Sequence, residues 1–104
     1  MDNNIYTKNE IKNILEPIFK ASSVKKAILY GSYAKDLQTP ASDVDIIIDS
    51  DGKLLDINFY GVLEEITVCL KKRVDLIEIS EINKNSYFSN IIKNEGVIIY
   101  DEQG

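Results

Sequence analysis

Residues 43–49, Asp-Val-Asp-Ile-Ile-Ile-Asp, constrain the fold of this chain more than any other stretch. After the two acids at its head, the run is apolar at every position up to Asp49. A half-buried strand alternates apolar and polar residues, whereas an unbroken apolar run belongs to a strand covered on both faces. A strand over Asp43–Asp49 is therefore central in a sheet. Successive side chains of extended backbone alternate, so Asp43 and Asp45 project to one side while Val44 points into the core behind them.

Other elements assemble around that strand. Ala27-Ile28-Leu29-Tyr30 reads as a first strand and Arg73 to Ile79 as a third, with Asp75 near its start. Thr7-Lys8-Asn9-Glu10 is a capping-box pattern, followed by Ile11, Ile14, Leu15, Ile18 and Phe19 at helical spacing. It predicts a helix from Lys8 to Ala21, with Pro17 inside it. From Leu54 to Lys72, Phe59, Val62, Leu63, Ile66, Cys69 and Leu70 repeat that spacing and predict a second helix. Ser80 is placed as the cap of a last helix, with Tyr87, Phe88, Ile91 and Ile92 inward and Gly96 ending it. Ser32–Leu37 reads as a brief helical turn, Gln38–Ser42 as a loop, Ser50–Lys53 as a turn and Val97–Tyr100 as a short final strand or tail. This order predicts an α/β (α+β) layer fold, helices packed on a small mixed sheet, as one domain over residues 1–104.

The acids carry the chemistry. Two carboxylates on one patch repel unless a cation lies between them, and oxygen ligands without His or Cys suit Mg²⁺ or Mn²⁺. Gly31-Ser32, ending the first strand and separated from Asp43 by a ten-residue gap, offers a backbone with no Cβ in the way and a hydroxyl donor, so it can approach a phosphate. If the second and third strands are neighbours, Asp75 joins the pair. Haloacid-dehalogenase phosphatases and glycosyltransferases share the Asp-x-Asp spacing, but in the former the acids follow a strand, and the latter need a far longer chain. Asp49-Ser50-Asp51-Gly52 is a turn rather than a calcium loop, since Lys53 stands at a ligand position. Together, Gly31, Ser32, Asp43, Asp45 and Asp75 predict a nucleotidyl-transfer site using two metal ions.

With these residues in view, the chain resembles the minimal nucleotidyltransferases of the DNA polymerase β superfamily. The resemblance rests on Leu29-Tyr30-Gly31-Ser32-Tyr33-Ala34-Lys35, Ser42-Asp43-Val44-Asp45-Ile46-Ile47-Ile48, Val74-Asp75-Leu76-Ile77 and Asn94-Glu95-Gly96-Val97-Ile98-Ile99-Tyr100. It implies the polymerase β-like nucleotidyltransferase fold and transfer of AMP from ATP to a hydroxyl acceptor, with Asp43, Asp45 and Asp75 as Mg²⁺ ligands and catalytic acids. Gly31, Ser32 and Lys35 would bind the phosphates. It further implies an antitoxin that modifies a tyrosine of a HEPN-domain toxin within a hetero-oligomer. Larger relatives carry a second domain for the acceptor, so here the acceptor is expected from a partner. Two alternatives are a non-catalytic module that neutralises its partner by contact, and nucleotidyl transfer to a small molecule. Relatives usually have Arg-Gly after the Ala, where this chain has Lys35-Asp36; Lys keeps the charge without the bidentate fork.

Composition excludes several other classes. A formal charge of −5 argues against direct, non-specific nucleic-acid binding. The chain has no His, so Ser-His-Asp, Cys-His and His-ligated zinc chemistry are outside its reach. Cys69, the single cysteine, is expected to be a buried thiol. No apolar run approaches the ~20 residues of a membrane span, and Met1-Asp2-Asn3-Asn4 lacks signal-peptide character, so a cytoplasmic protein without a membrane partner is expected.

Overall fold

The computed structural model describes residues 5–54 and 56–103. Met1–Asn4, read above for leader character, lie outside the described residues, as do Leu55 and Gly104. Helix α1 spans Lys8–Ala21, as the capping box predicts: Thr7 Oγ1 accepts from the Glu10 amide at 3.1 Å and the Thr7 amide donates to Glu10 Oε1 at 2.8 Å. Pro17 is accommodated within the helix. Strands β1 (Lys26–Tyr30), β2 (Val44–Asp49), β3 (Val74–Glu78) and β4 (Val97–Asp101) form one sheet in the order β3-β2-β1-β4. β2 pairs antiparallel with β1 and parallel with β3, and β4 is an antiparallel edge on β1. Parallel neighbours need a crossover connection. Helix α2 (Ile57–Leu70) lies within the connection between β2 and β3.

The apolar run behaves as its composition demands. Val44, Ile46, Ile47 and Ile48 are all essentially inaccessible. Ala27, Leu29, Val44, Ile46, Ile48, Leu76 and Ile99 form the sheet's part of the main core, closed by Ile11, Leu15, Ile18 and Phe19 of α1 and by Val62, Ile66 and Leu70 of α2. The hydroxyl of Tyr6 donates to the Leu70 carbonyl at 2.7 Å and ties the segment before α1 to the end of α2. On the opposite sheet face lies helix α3 (Tyr87–Glu95), where Phe88 meets Tyr30 edge to face at a centroid distance of 5.3 Å. None of the α3 residues is fully buried.

Three expectations are corrected. The cap of α3 is Ser86, not Ser80: the Ser86 hydroxyl accepts from the Ser89 amide at 3.1 Å, and Ser80 instead lies in a short 3₁₀ turn, Ile79–Glu81. Tyr87 points outward while Phe88, Ile91 and Ile92 are half-buried, because α3 touches the sheet along a narrow strip. Cys69 is exposed, since α2 rests on the sheet through Val62, Ile66 and Leu70 and the helical turn carries residue 69 off that line.

One polar pair is enclosed in the fold. Glu78, at the end of β3, is buried and accepts from the fully buried Ser50 hydroxyl at 2.6 Å, while Ser50 Oγ also accepts from the Leu54 amide at 3.1 Å. Removing one member leaves the other desolvated without its partner. Ser50→Ala should therefore cost about 1–3 kcal/mol of stability. Urea unfolding checks this; an unchanged midpoint would show that Glu78 does not depend on the hydroxyl.

Candidate active site

Register brings the predicted residues together. Tyr30 pairs with Asp45, and Asp45 pairs with Asp75, so the three form one row across β1, β2 and β3. Directly opposed residues of neighbouring strands share a face. Behind this row, on the core side, runs the apolar row Leu29, Ile46 and Leu76. Asp43 is one residue ahead of β2, on exposed backbone, and the Val44 amide donates to the Arg73 carbonyl at 3.0 Å, which fastens the start of β2 to β3. The neighbourhood on which Asp75's participation depends is thus present.

Gly31 follows β1 at φ +73°, opening a 3₁₀ turn over Gly31–Tyr33. A Cβ at this position would collide with Asp45 Oδ2. Only glycine combines this backbone with so close an approach to the carboxylate. Ser32 follows within the turn, and its carbonyl accepts from the amides of Lys35 at 3.2 Å and Leu37 at 2.9 Å. The turn thus places the Gly31-Ser32 backbone against the acid row.

Lys35 is directed elsewhere. Its ammonium lies 2.9 Å from Glu95 Oε1, linking the turn to the end of α3. Asp36, at the position where Gly is usual in the resembling family, has φ +59°, which accounts for a glycine preference there. Asp tolerates this region better than most residues, and Lys8 Nζ pairs with its carboxylate at 3.0 Å. The negative charge is thereby matched within the chain.

The electrostatics single out Asp45. Burial, then the charges of Asp75 and Asp43, push its carboxyl up from an ordinary 3.8 to about 6. Tyr30, buried beside the row, has its hydroxyl pKa pushed upward by burial and by Asp75 and Asp45. Among the described residues, no three histidine, acidic or sulfur side chains stand at the spacing of a formed metal cage. The donor set is nevertheless that of a hard divalent cation: carboxylates only, with an adjacent backbone kept clear of side chain.

Two neighbours of the site are not evident from spacing. Tyr30 reads as a core or rim aromatic until the antiparallel register places it beside Asp45. Arg73 reads as part of the charge at a helix end, yet its Nε is 4.0 Å from Asp43 Oδ1, at the weak limit of an exposed ion pair. The alternation of β1 could have identified the first; the second needs the β2–β3 pairing.

Comparison with known proteins places the chain in a family. The family model described as "Polymerase beta, Nucleotidyltransferase" matches residues 9–104, and the chain belongs to that nucleotidyltransferase family. Two proteins of Methanocaldococcus jannaschii, each named "Putative protein adenylyltransferase", are similar to it. One is 36% identical over 76 residues, covering 72% of this chain and 81% of the relative. The other is 33% identical over 97 residues, covering 89% and 98%. Among solved structures, a chain from a toxin-antitoxin crystal structure with AMP-PNP matches with a TM-score of 0.75 at 19% identity, over 88% of this chain and 74% of that one. A chain from the tri-AMPylated Shewanella oneidensis HEPN toxin in complex with MNT antitoxin matches with a TM-score of 0.70 at 16% identity, over 93% and 75%. At these identities the structural matches carry the fold alone, and the family model identifies it as the polymerase β-like nucleotidyltransferase fold. Among the described residues, no helix is long and apolar enough to cross a membrane.

A prediction follows from the position of Asp45. Its folded carboxyl ionises at about 6 instead of 3.8, so between those values the folded chain binds more protons than the unfolded chain. Stability from this group therefore falls as pH rises through the window and stays low above it. With divalent ions chelated, Asp45→Asn should match wild type near pH 4 and exceed it at pH 7 by about 1–2 kcal/mol, solvent screening keeping the gain modest. Denaturant titrations at the two pH values provide the check, and a variant less stable at pH 7 would count against the repulsion.

Proposed function

We propose that this chain is a protein adenylyltransferase that moves AMP from ATP to a tyrosine hydroxyl of a HEPN-domain toxin and so acts as its antitoxin, in a cytoplasmic hetero-oligomer. The observation that carries this reading is the Asp45–Asp75 row with Gly31 held against Asp45. Family membership supplies the reaction class. The names of the M. jannaschii relatives support a protein acceptor, and the fold shared with a structure containing an AMPylated HEPN toxin supports the partner.

Asp43, Asp45 and Asp75 fit Mg²⁺, with Mn²⁺ an acceptable substitute, and they would hold two ions when nucleotide binds. Bound there, the ions would neutralise the triphosphate and ease ionisation of the attacking hydroxyl. The chain's own groups have separable tasks. The Gly31-Ser32 backbone and the Ser32 hydroxyl hold the β and γ phosphates, and Lys35 exchanges Glu95 for phosphate oxygen. Asp75 receives the proton as the acceptor oxygen bonds to the α-phosphorus and the bond to the β-phosphate oxygen breaks. Pyrophosphate leaves and AMP stays on the acceptor.

Catalysis and mere contact differ in stoichiometry. In the presence of Mg²⁺ and ATP, a small amount of the chain should load a molar excess of HEPN partner with AMP, seen by mass spectrometry, and abolish the partner's toxicity. The Asp43→Asn, Asp45→Asn double variant should lose transfer by at least about a thousandfold, the scale set by removing electrostatic catalysis. Neutralisation of equal efficiency by that variant, one for one and without ATP, would establish the non-catalytic module instead.

A further inference from the structure

Helix α2 is apolar on the wrong side as well as the right one. Opposite the buried line of Val62, Ile66 and Leu70, its outer surface carries Ile57 at 82% exposure, Tyr60 at 65% and Val68 at 65%. Ile57, Gly61, Glu64 and Val68 follow one another at spacings of four, three and four residues, a continuous stripe along a helix. Exposed single hydrophobes need no explanation, whereas an aligned set does.

Gly61 adds an independent sign. A glycine within a helix weakens it relative to alanine, and its backbone here is not in the left-handed region. Nor does the fold require the missing side chain, because a Cβ at Gly61 would meet nothing within 4 Å. The gap lies on the exposed stripe, where a second backbone could come close. Beside the stripe is a cleft of about 400 Å³, walled by Phe59, Tyr60 and Leu76 and edged by the exposed Asp56 and Glu81.

Charge decides what fits. Glu64 lies on the stripe, Glu65 follows it in sequence, and Asp56 and Glu81 line the cleft, so two copies of this face would set carboxylate against carboxylate. A basic occupant would gain where a second copy would lose. We propose that the outer face of α2 is the docking surface for an amphipathic helix of the HEPN partner, one whose apolar stripe packs over Gly61 and whose flanking Lys or Arg side chains meet Glu64, Glu65 and the acidic edge of the cleft. This rests on the partner assigned above and adds where it binds. The surface belongs to the helix layer that packs on the core face of the sheet, opposite the acid row. Binding and transfer are consequently separable by mutation.

The test uses the full chain and a HEPN-domain toxin that it neutralises. Ile57→Lys, Val68→Lys should weaken the complex by at least tenfold in calorimetry, yet leave unchanged the rise in Tm that Mg²⁺-ATP produces in the chain alone. Gly61→Ala should raise Tm of the free chain while weakening the complex, a combination that a merely structural glycine would not give. Asp43→Asn should keep the complex and lose transfer; if it transferred normally the catalytic assignment would fail while the docking surface stood. Wild-type affinity in both surface variants would overturn the docking site and leave the catalytic reading intact. Sedimentation showing that wild type self-associates through this face would overturn it in favour of a second copy, and absence of any complex would overturn it as well.

Discussion

Parallel pairing of β2 with β3, in the register that sets Asp45 beside Asp75, is the constraint on which the site depends. Because side chains alternate, one residue of slippage would send the carboxylates into the core and its isoleucines outward. Burial of Val44, Ile46 and Ile48 against α1 and α2 opposes such a slip. The core therefore does more than stabilise the chain. It holds an arrangement of like charges that would otherwise separate.

The two sheet faces divide the work accordingly. One is closed by α1 and α2 over an apolar row; the other carries Tyr30, Asp45 and Asp75 at one end, with α3 lying along β1 through half-buried contacts. Charge near the site is matched pairwise outside the acid row: Lys8 with Asp36, Lys35 with Glu95. Within the row it is not matched, and the Asp45 carboxyl is raised by its burial first and by the Asp75 and Asp43 charges second. Active sites commonly keep groups whose ionisation is disfavoured in the isolated protein. In the proposed function this unfavourable charge is also the attraction for a divalent ion.

Much of this was legible in local pattern. The capping box and the apolar stripe located α1 with both its ends, and the apolar run headed by two acids located β2 to within one residue. The approach of Gly31, Asp45 and Asp75 to one another was legible in spacing, since a glycine ends one strand-like run and acids head the next two. What depended on contacts distant in sequence was less visible. Ser80 and Ser86 are both competent caps, and the choice followed from where the chain after β3 could turn back toward β1. Cys69 occupies an apolar-looking helical position, but the narrow strip of α2 that meets the sheet excludes it. The Lys35–Glu95 pair joins residues sixty positions apart, and no local rule anticipates it.

The central claim is that the Asp45–Asp75 row is a divalent-cation site for nucleotide, and thermal unfolding of the chain alone measures it most directly. A ligand bound only by the folded state stabilises it by about 2.7 kcal/mol at a hundredfold excess over Kd. Millimolar Mg²⁺ or Mn²⁺ together with ATP should therefore raise Tm clearly in wild type and much less in Asp75→Asn. An unchanged wild-type Tm with every divalent ion, or an equal rise in the variant, would contradict the account.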